Sequence, residues 1–167
     1  MKLILGITLL LIAAQGNAAT ITGRVVKVSD GDTITVLEGA TQHKIRLMGI
    51  DAPERAQPFG NRSKQALANN ISGKTVEVEY NKKDRYQRII GKVTYMGYDI
   101  NLRQIELGMA WHYKQYEREQ DVEDRSKYAQ AEYLAQRDKV GLWGLPEPQA
   151  PWEWRRKQSR IRNANLY

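Results

Sequence analysis

Two short acidic stretches, Asp30-Gly31-Asp32-Thr33 and Asp51-Ala52-Pro53-Glu54, flank a segment that carries Arg46 among strand-forming residues. Carboxylates supply the hard oxygen donors that calcium or magnesium takes. A guanidinium grips two phosphate oxygens at once and stays charged at any working pH. Asp32 and Asp51 are thus candidate metal ligands, and Arg46 and Arg88, the latter just before Ile89, are candidate phosphate ligands. Thiolate sites are excluded because there is no cysteine, and the two histidines, His43 and His112, lack a chelating spacing. Each feature also has a plainer reading: Asp-Gly-Asp and Asp-x-Pro favour turns, and arginines pair with nearby carboxylates. His112, beside Trp111, reads as a packing residue.

The rest of the chain must position these groups. Its 167 residues, 41% of them apolar, suit one domain with a real core. A net charge of +7 makes a polyanion the first partner to consider, although basic proteins without that role are common. Lys82, Lys83 and Arg85 form a basic loop ahead of Arg88, and Tyr86, Tyr113 and Tyr116 could stack bases without regard to sequence. The alternatives are a solvated loop and half-buried tyrosines. Lys2, the apolar run 3–14 and the small residues Gly16-Asn17-Ala18-Ala19 form an export leader expected to be cleaved after Ala18. That run is shorter than the roughly 20 apolar residues that span a bilayer, which favours a cleaved leader over a permanent anchor.

Alternation of Ile, Val and Thr predicts a strand from Ile21, a bend at 30–32 and a second strand to Val36, then a third over 44–48. A short helix is expected over 64–70 with Ala66, Leu67 and Ile71 inward, followed by strands at 75–80 and 89–95. Asn101 is placed as the cap of a helix over 102–107, and an amphipathic helix over 122–138 turns Ala129, Tyr133 and Leu134 inward. Three strands, a helix, two strands and further helices make an α+β chain: a five-stranded OB-type β-barrel with about three helices. The tail, 145–167, should pack in part through Trp152 and Trp154; its basic run from Arg155 to Arg162 either adds affinity for a phosphate backbone or frays.

The stretch Asp30 to Val36, with Arg46-Leu47 and Ile50-Asp51-Ala52-Pro53-Glu54, resembles the signature of the thermonuclease (staphylococcal nuclease-like) family. Asp84-Arg85-Tyr86-Gln87-Arg88 is similar to that family's downstream motif, and the likeness continues through Gly108-Met109-Ala110-Trp111 and Gly141-Leu142-Trp143. The resemblance implies a Ca2+-dependent endonuclease on an OB-type barrel in 19–144, hydrolysing DNA and RNA to 3′-phosphate ends. It implies Asp32, Asp51 and the backbone carbonyl of Ala52 as metal ligands; better-known members have Thr at the last position, so any help from a hydroxyl is lost. Glu54 would orient or deprotonate the attacking water, Arg46 and Arg88 would bind phosphate, and Asp30 would support the metal ligands from behind. A non-catalytic OB-type nucleic-acid-binding module is the alternative, against which stands the retention of all five matched side chains. The mature protein is expected to be a monomer without a membrane anchor, exported to the periplasm or the medium.

Overall fold

The computed structural model describes residues 18–164. The leader expected over 1–18 therefore lies outside the described residues, save Ala18. A long strand, β1 (Ala19–Asp30), turns at Gly31 into β2 (Thr33–Glu38), which hairpins into β3 (Thr41–Leu47). A two-residue strand, β4 (Ile50–Asp51), precedes helix α1 (Gly60–Ile71). Then come β5 (Thr75–Lys83), β6 (Ile89–Tyr95), the short β7 (Tyr98–Asp99), α2 (Ile100–Glu106), β8 (Trp111–His112), α3 (Val122–Arg137) and α4 (Pro151–Ala164), with 3-10 turns at Lys114–Glu119 and Gly141–Gly144.

The five long strands close into a barrel in the order β3-β2-β1-β5-β6, sealed by parallel pairing of β3 with β6. Closure follows from the side-chain pattern. Alternate residues such as Ile21 and Val25, Ile34 and Val36, Ile45 and Leu47, and Val76 and Val78 point into one apolar cluster, while Glu77 and Glu79 face out. Register shifts in β1 between Val25 and Lys27 and between Val28 and Asp30 mark bulges that bend it around two neighbours. Ser63, Leu67 and Ile71 recur at helical spacing and turn one face of α1 inward, with Leu67 and Ile71 fully buried in the barrel's apolar cluster. The expected OB-type arrangement is the observed one, with the helix between the third and fourth long strands.

Local expectations differ in three places. α2 is capped by Asp99, whose side chain accepts from the Leu102 N–H at 2.9 Å; Asn101 is inside the helix and wholly buried, accepting from Val93 N–H and donating to Met48 O and Gly91 O. α3 presents Asp124, Tyr128, Ala131, Glu132 and Ala135 inward, whereas Ala129 and Tyr133 are exposed and Leu134 is half-buried. Polar burial overrode the apolar pattern here: Glu132 accepts from His112 N–H and pairs with Lys114, and Tyr128 O–H donates to Asp99. Finally, Lys82 and Lys83 belong to β5, paired with Ile90 and Ile89, so the connecting loop is shorter than the polar composition suggested.

Candidate active site

A cleft of about 690 Å³ opens where β3, β4 and the end of β5 meet α4. Its walls include Asp30, Asp32, Arg46, Asp51, Ala52 and Glu54, together with Lys82, Lys83, Arg85, Tyr86, Arg88, Tyr113 and Tyr116. The candidate metal, catalytic and substrate-binding residues of the barrel domain thus line one cavity, whereas of the basic tail only Arg155 reaches it.

The acids are held by backbone pairing. Asp32 leaves the β1–β2 bend and Asp51 lies in β4, whose pairing with β8 sets it opposite Trp111. Asp32 Oδ2 accepts the Ala52 N–H at 2.7 Å, which seats this carboxylate against the peptide that follows Asp51. Arg46, in β3, bridges the two acids: Nη1 lies 2.8 Å from Asp32 Oδ2 and Nη2 2.8 Å from Asp51 Oδ1. Asp30 Oδ1 accepts the Asp32 N–H, shaping the bend. Glycine at position 31 is required by packing: a Cβ there would lie 1.8 Å from Ser63 Oγ of α1.

Both aspartates are almost fully buried. Burial pushes the Asp32 carboxyl up to about 8; Arg46 pulls against this, but Asp30 and Asp51 reinforce it. Burial thus makes the charged form of Asp32 costly unless a cation faces it, and the acidic side chains here offer only oxygen donors. That chemistry fits a hard divalent cation. Among the described residues no three His, Cys, Asp or Glu side chains form a metal-binding group.

Arg88 arrives from a different part of the chain. The parallel β3–β6 register sets Arg46 opposite Ile90, and Arg88 stands two residues before it at the same end of the barrel. Asp84 accepts the Arg88 Nε–H at 2.7 Å and the backbone N–H groups of Tyr86 and Arg88. Burial opposes ionisation of Asp84, but these bonds hold its carboxyl below the usual value. The exposed Tyr86 ring lies beneath both Arg85 and Arg88, at 4.8 and 5.6 Å. Lys82 is paired with Glu119, so its charge is partly committed.

Glu54 sits on the irregular segment between β4 and α1. Gln57 clasps it: Glu54 N–H donates to Gln57 Oε1, Gln57 N–H donates to Glu54 O, and Gln57 Nε2–H donates to Gln149 O. A Cβ at Gly60 would lie 2.0 Å from Glu54 O, so α1 can start this close only with glycine there. The aromatic wall is continuous: Tyr113 meets Tyr116 edge-on at 5.1 Å and stacks on Trp152 at 5.4 Å, and Trp111 meets both Trp143 and Trp152. Burial and the Asp51 carboxylate push the Tyr113 hydroxyl up, so it stays neutral.

The staphylococcal nuclease homologue family matches residues 44–144. The chain is 44% identical to a Haemophilus influenzae protein described as an uncharacterized endonuclease, over 82% of this chain and 74% of that one. The chain belongs to the staphylococcal nuclease homologue family. It is also 40% identical to an Escherichia coli uncharacterized endonuclease, over 84% of this chain and 88% of the relative. Identity to a micrococcal nuclease of Shigella flexneri is 38%, over 84% of each chain.

The family match stops short of α4, whose Arg155, read from the sequence as part of a phosphate-binding or frayed basic run, instead meets the acids of the cleft. Arg155 donates through Nη2 to Asp51 Oδ2 at 2.8 Å, and through Nη1 to Glu54 Oε1 at 2.8 Å and Asp51 Oδ1 at 3.2 Å. Partial burial works against its charge, yet the two carboxylates hold its guanidinium above the usual value. The tail thus packs as a helix, with Trp152 on the aromatic wall and Pro151 buried. Pro151 in the first helical turn and the Trp152/Arg155 spacing of one turn were the available signals; the basic run hid them.

Proposed function

We propose that this protein is a Ca2+-dependent phosphodiesterase, an endonuclease that hydrolyses DNA and RNA with little sequence preference and leaves 3′-phosphate ends. Family membership and the nuclease-named relatives support nuclease activity. The observation that carries the finer reading is Arg46 bridging two buried aspartates in a cleft that Glu54 and Arg88 also line.

Asp32, Asp51 and the Ala52 carbonyl would hold the cation, with Asp30 steadying the bend behind them. The ion, when bound, supplies positive charge to a phosphate oxygen as negative charge develops there. Glu54 orients a water and takes its proton as the water oxygen bonds to phosphorus. Arg46 and Arg88 donate to the equatorial oxygens, where charge is greatest in the transition state. The P–O5′ bond breaks and O5′ takes a proton from solvent water, leaving a 5′-hydroxyl on one product and the phosphate on the 3′ end of the other. Lys83 and Arg85, with Lys82 once freed from Glu119, meet the substrate backbone, and Tyr86, Tyr113 and Tyr116 offer faces to bases of any identity. Retention of Glu54 and both arginines favours this over a binding module. The mature chain acts as an exported monomer, in the periplasm or outside the cell.

The test is digestion of single- and double-stranded DNA and of RNA by the purified mature protein in calcium, magnesium or chelator. Cleavage in calcium, abolished by chelator and yielding 3′-phosphate ends, is expected. Digestion indifferent to chelator, or none with any metal, overturns the reading.

A further inference from the structure

We infer that Arg155 is a positioning residue for hydrolysis: from α4 it fixes the Glu54 carboxylate beside Asp51, which makes the C-terminal helix part of the active site. The inference rests on the role proposed above for Glu54. Glu54 stands on a segment, 52–59, that has neither strand nor helix, and its side chain is 42% exposed. Its backbone is clasped by Gln57, but its carboxylate has one hydrogen-bonding partner among the described residues, Arg155. A carboxylate that must align water against phosphorus gains from being held, since small misplacements are costly in rate.

Arg155 is itself held. Ala150 O accepts the N–H groups of Glu153 and Trp154 and so starts α4. One turn before Arg155, Trp152 lies flat on Tyr113 and edge-on to Trp111, the residue paired with Asp51. Gln149 O, just ahead of the helix, accepts from the same Gln57 that clasps Glu54. The base and the helix are therefore fastened to each other twice, through Gln57 and through Arg155. Both terminal nitrogens of Arg155 are spent on carboxylates, Nη1 on Glu54 and Asp51 and Nη2 on Asp51, so the side chain ties the two acids to each other and to α4.

The experiment compares wild type, Arg155→Gln, Arg155→Lys, Glu54→Gln and the double variant Glu54→Gln/Arg155→Gln, as the full mature chain. Steady-state cleavage of a labelled single-stranded DNA is measured in saturating calcium, with backbone hydrogen exchange of 52–59 as a readout free of catalysis. Arg155→Gln is expected to lower kcat by about tenfold to a hundredfold, with KM within about twofold because ground-state binding is untouched. Arg155→Lys should recover part of the rate, since an ammonium can still reach one carboxylate. In the Glu54→Gln background, the Arg155→Gln change should cost less than about threefold, because a brace matters only while its charge does. Exchange in 52–59 should quicken in Arg155→Gln while that of α1 stays as it was. An unchanged kcat, a rise in KM alone, a full multiplicative loss in the double variant, or unchanged exchange in 52–59 would each overturn the role. Failure of the wild type to cleave DNA with any metal instead overturns the proposed nuclease mechanism, and the exchange comparison then still decides whether Arg155 holds the Glu54 segment.

Discussion

Arg155 and Glu54 meet at 2.8 Å although 101 residues separate them along the chain. The contact closes the outer side of an acid cluster whose inner side is closed by Arg46. Two guanidiniums thus bracket Asp51, one from the barrel and one from the last helix. A site built this way depends on the barrel for its buried half and on α4 for its exposed half.

Replacing Glu54 by Gln keeps the shape of the side chain and removes its ability to take a proton. Loss of about a hundredfold or more in kcat is expected, the scale of general-base and positioning roles. Calcium affinity by calorimetry and the far-UV spectrum should stay close to wild type. Turnover equal to wild type would remove Glu54 from the mechanism.

Asp32 should trade stability for function. Its folded-state pKa is raised from 3.8 to about 8, first by burial, so the folded protein holds that proton more tightly than the unfolded chain. In chelator, folding is favoured by this group below 3.8, and its contribution is lost as the pH climbs toward about 8. Asp32→Asn should flatten that slope and raise Tm at pH 8 in chelator by about 2–4 °C, the shift expected for about 1 kcal/mol in a chain of this size. The same variant should lose the Tm increase that calcium gives the wild type. A lower Tm in chelator, or an undiminished calcium shift, contradicts this account.

The later turns of α4 carry Arg156, Lys157, Arg160 and Arg162, all exposed and past the anchored first turn. If they touch a phosphate backbone, removing 156–167 should make the slope of log affinity against log salt shallower by about 1 to 3 for double-stranded DNA. The cut falls after Arg155, so the residue that meets Glu54 stays in the chain. An identical slope would assign these charges to solvent.

Local patterns were enough to read much of this molecule. Alternation in 75–80 and in 33–36 fixes strands because one face of each must be dry, and Leu67 and Ile71 mark a helix by the same logic at helical spacing, although Ser63 rather than the half-buried Ala66 completes its inner face. The acids and arginines stood out because their residue types suit a cation and a phosphate and their spacing matched a family signature. α3 was less legible: Asp124 and Glu132 are buried because Lys92 and Lys114 reach them from other elements, and no pattern within 122–138 announces such partners.

By itself the sequence determined the barrel's strands, the first helix and the chemical types in the cleft, since these follow from periodicity and residue identity over a few turns of chain. Only the tertiary structure decided which of those groups touch. Parallel closure of β3 on β6 brings Arg88 to the end of the barrel where Arg46 sits, and the stacking of Trp152 on Tyr113 sets the height at which Arg155 meets Glu54. A basic residue in a polar run has the same local appearance whether it faces water or a buried carboxylate. What separates the two is the position of an acid about a hundred residues away.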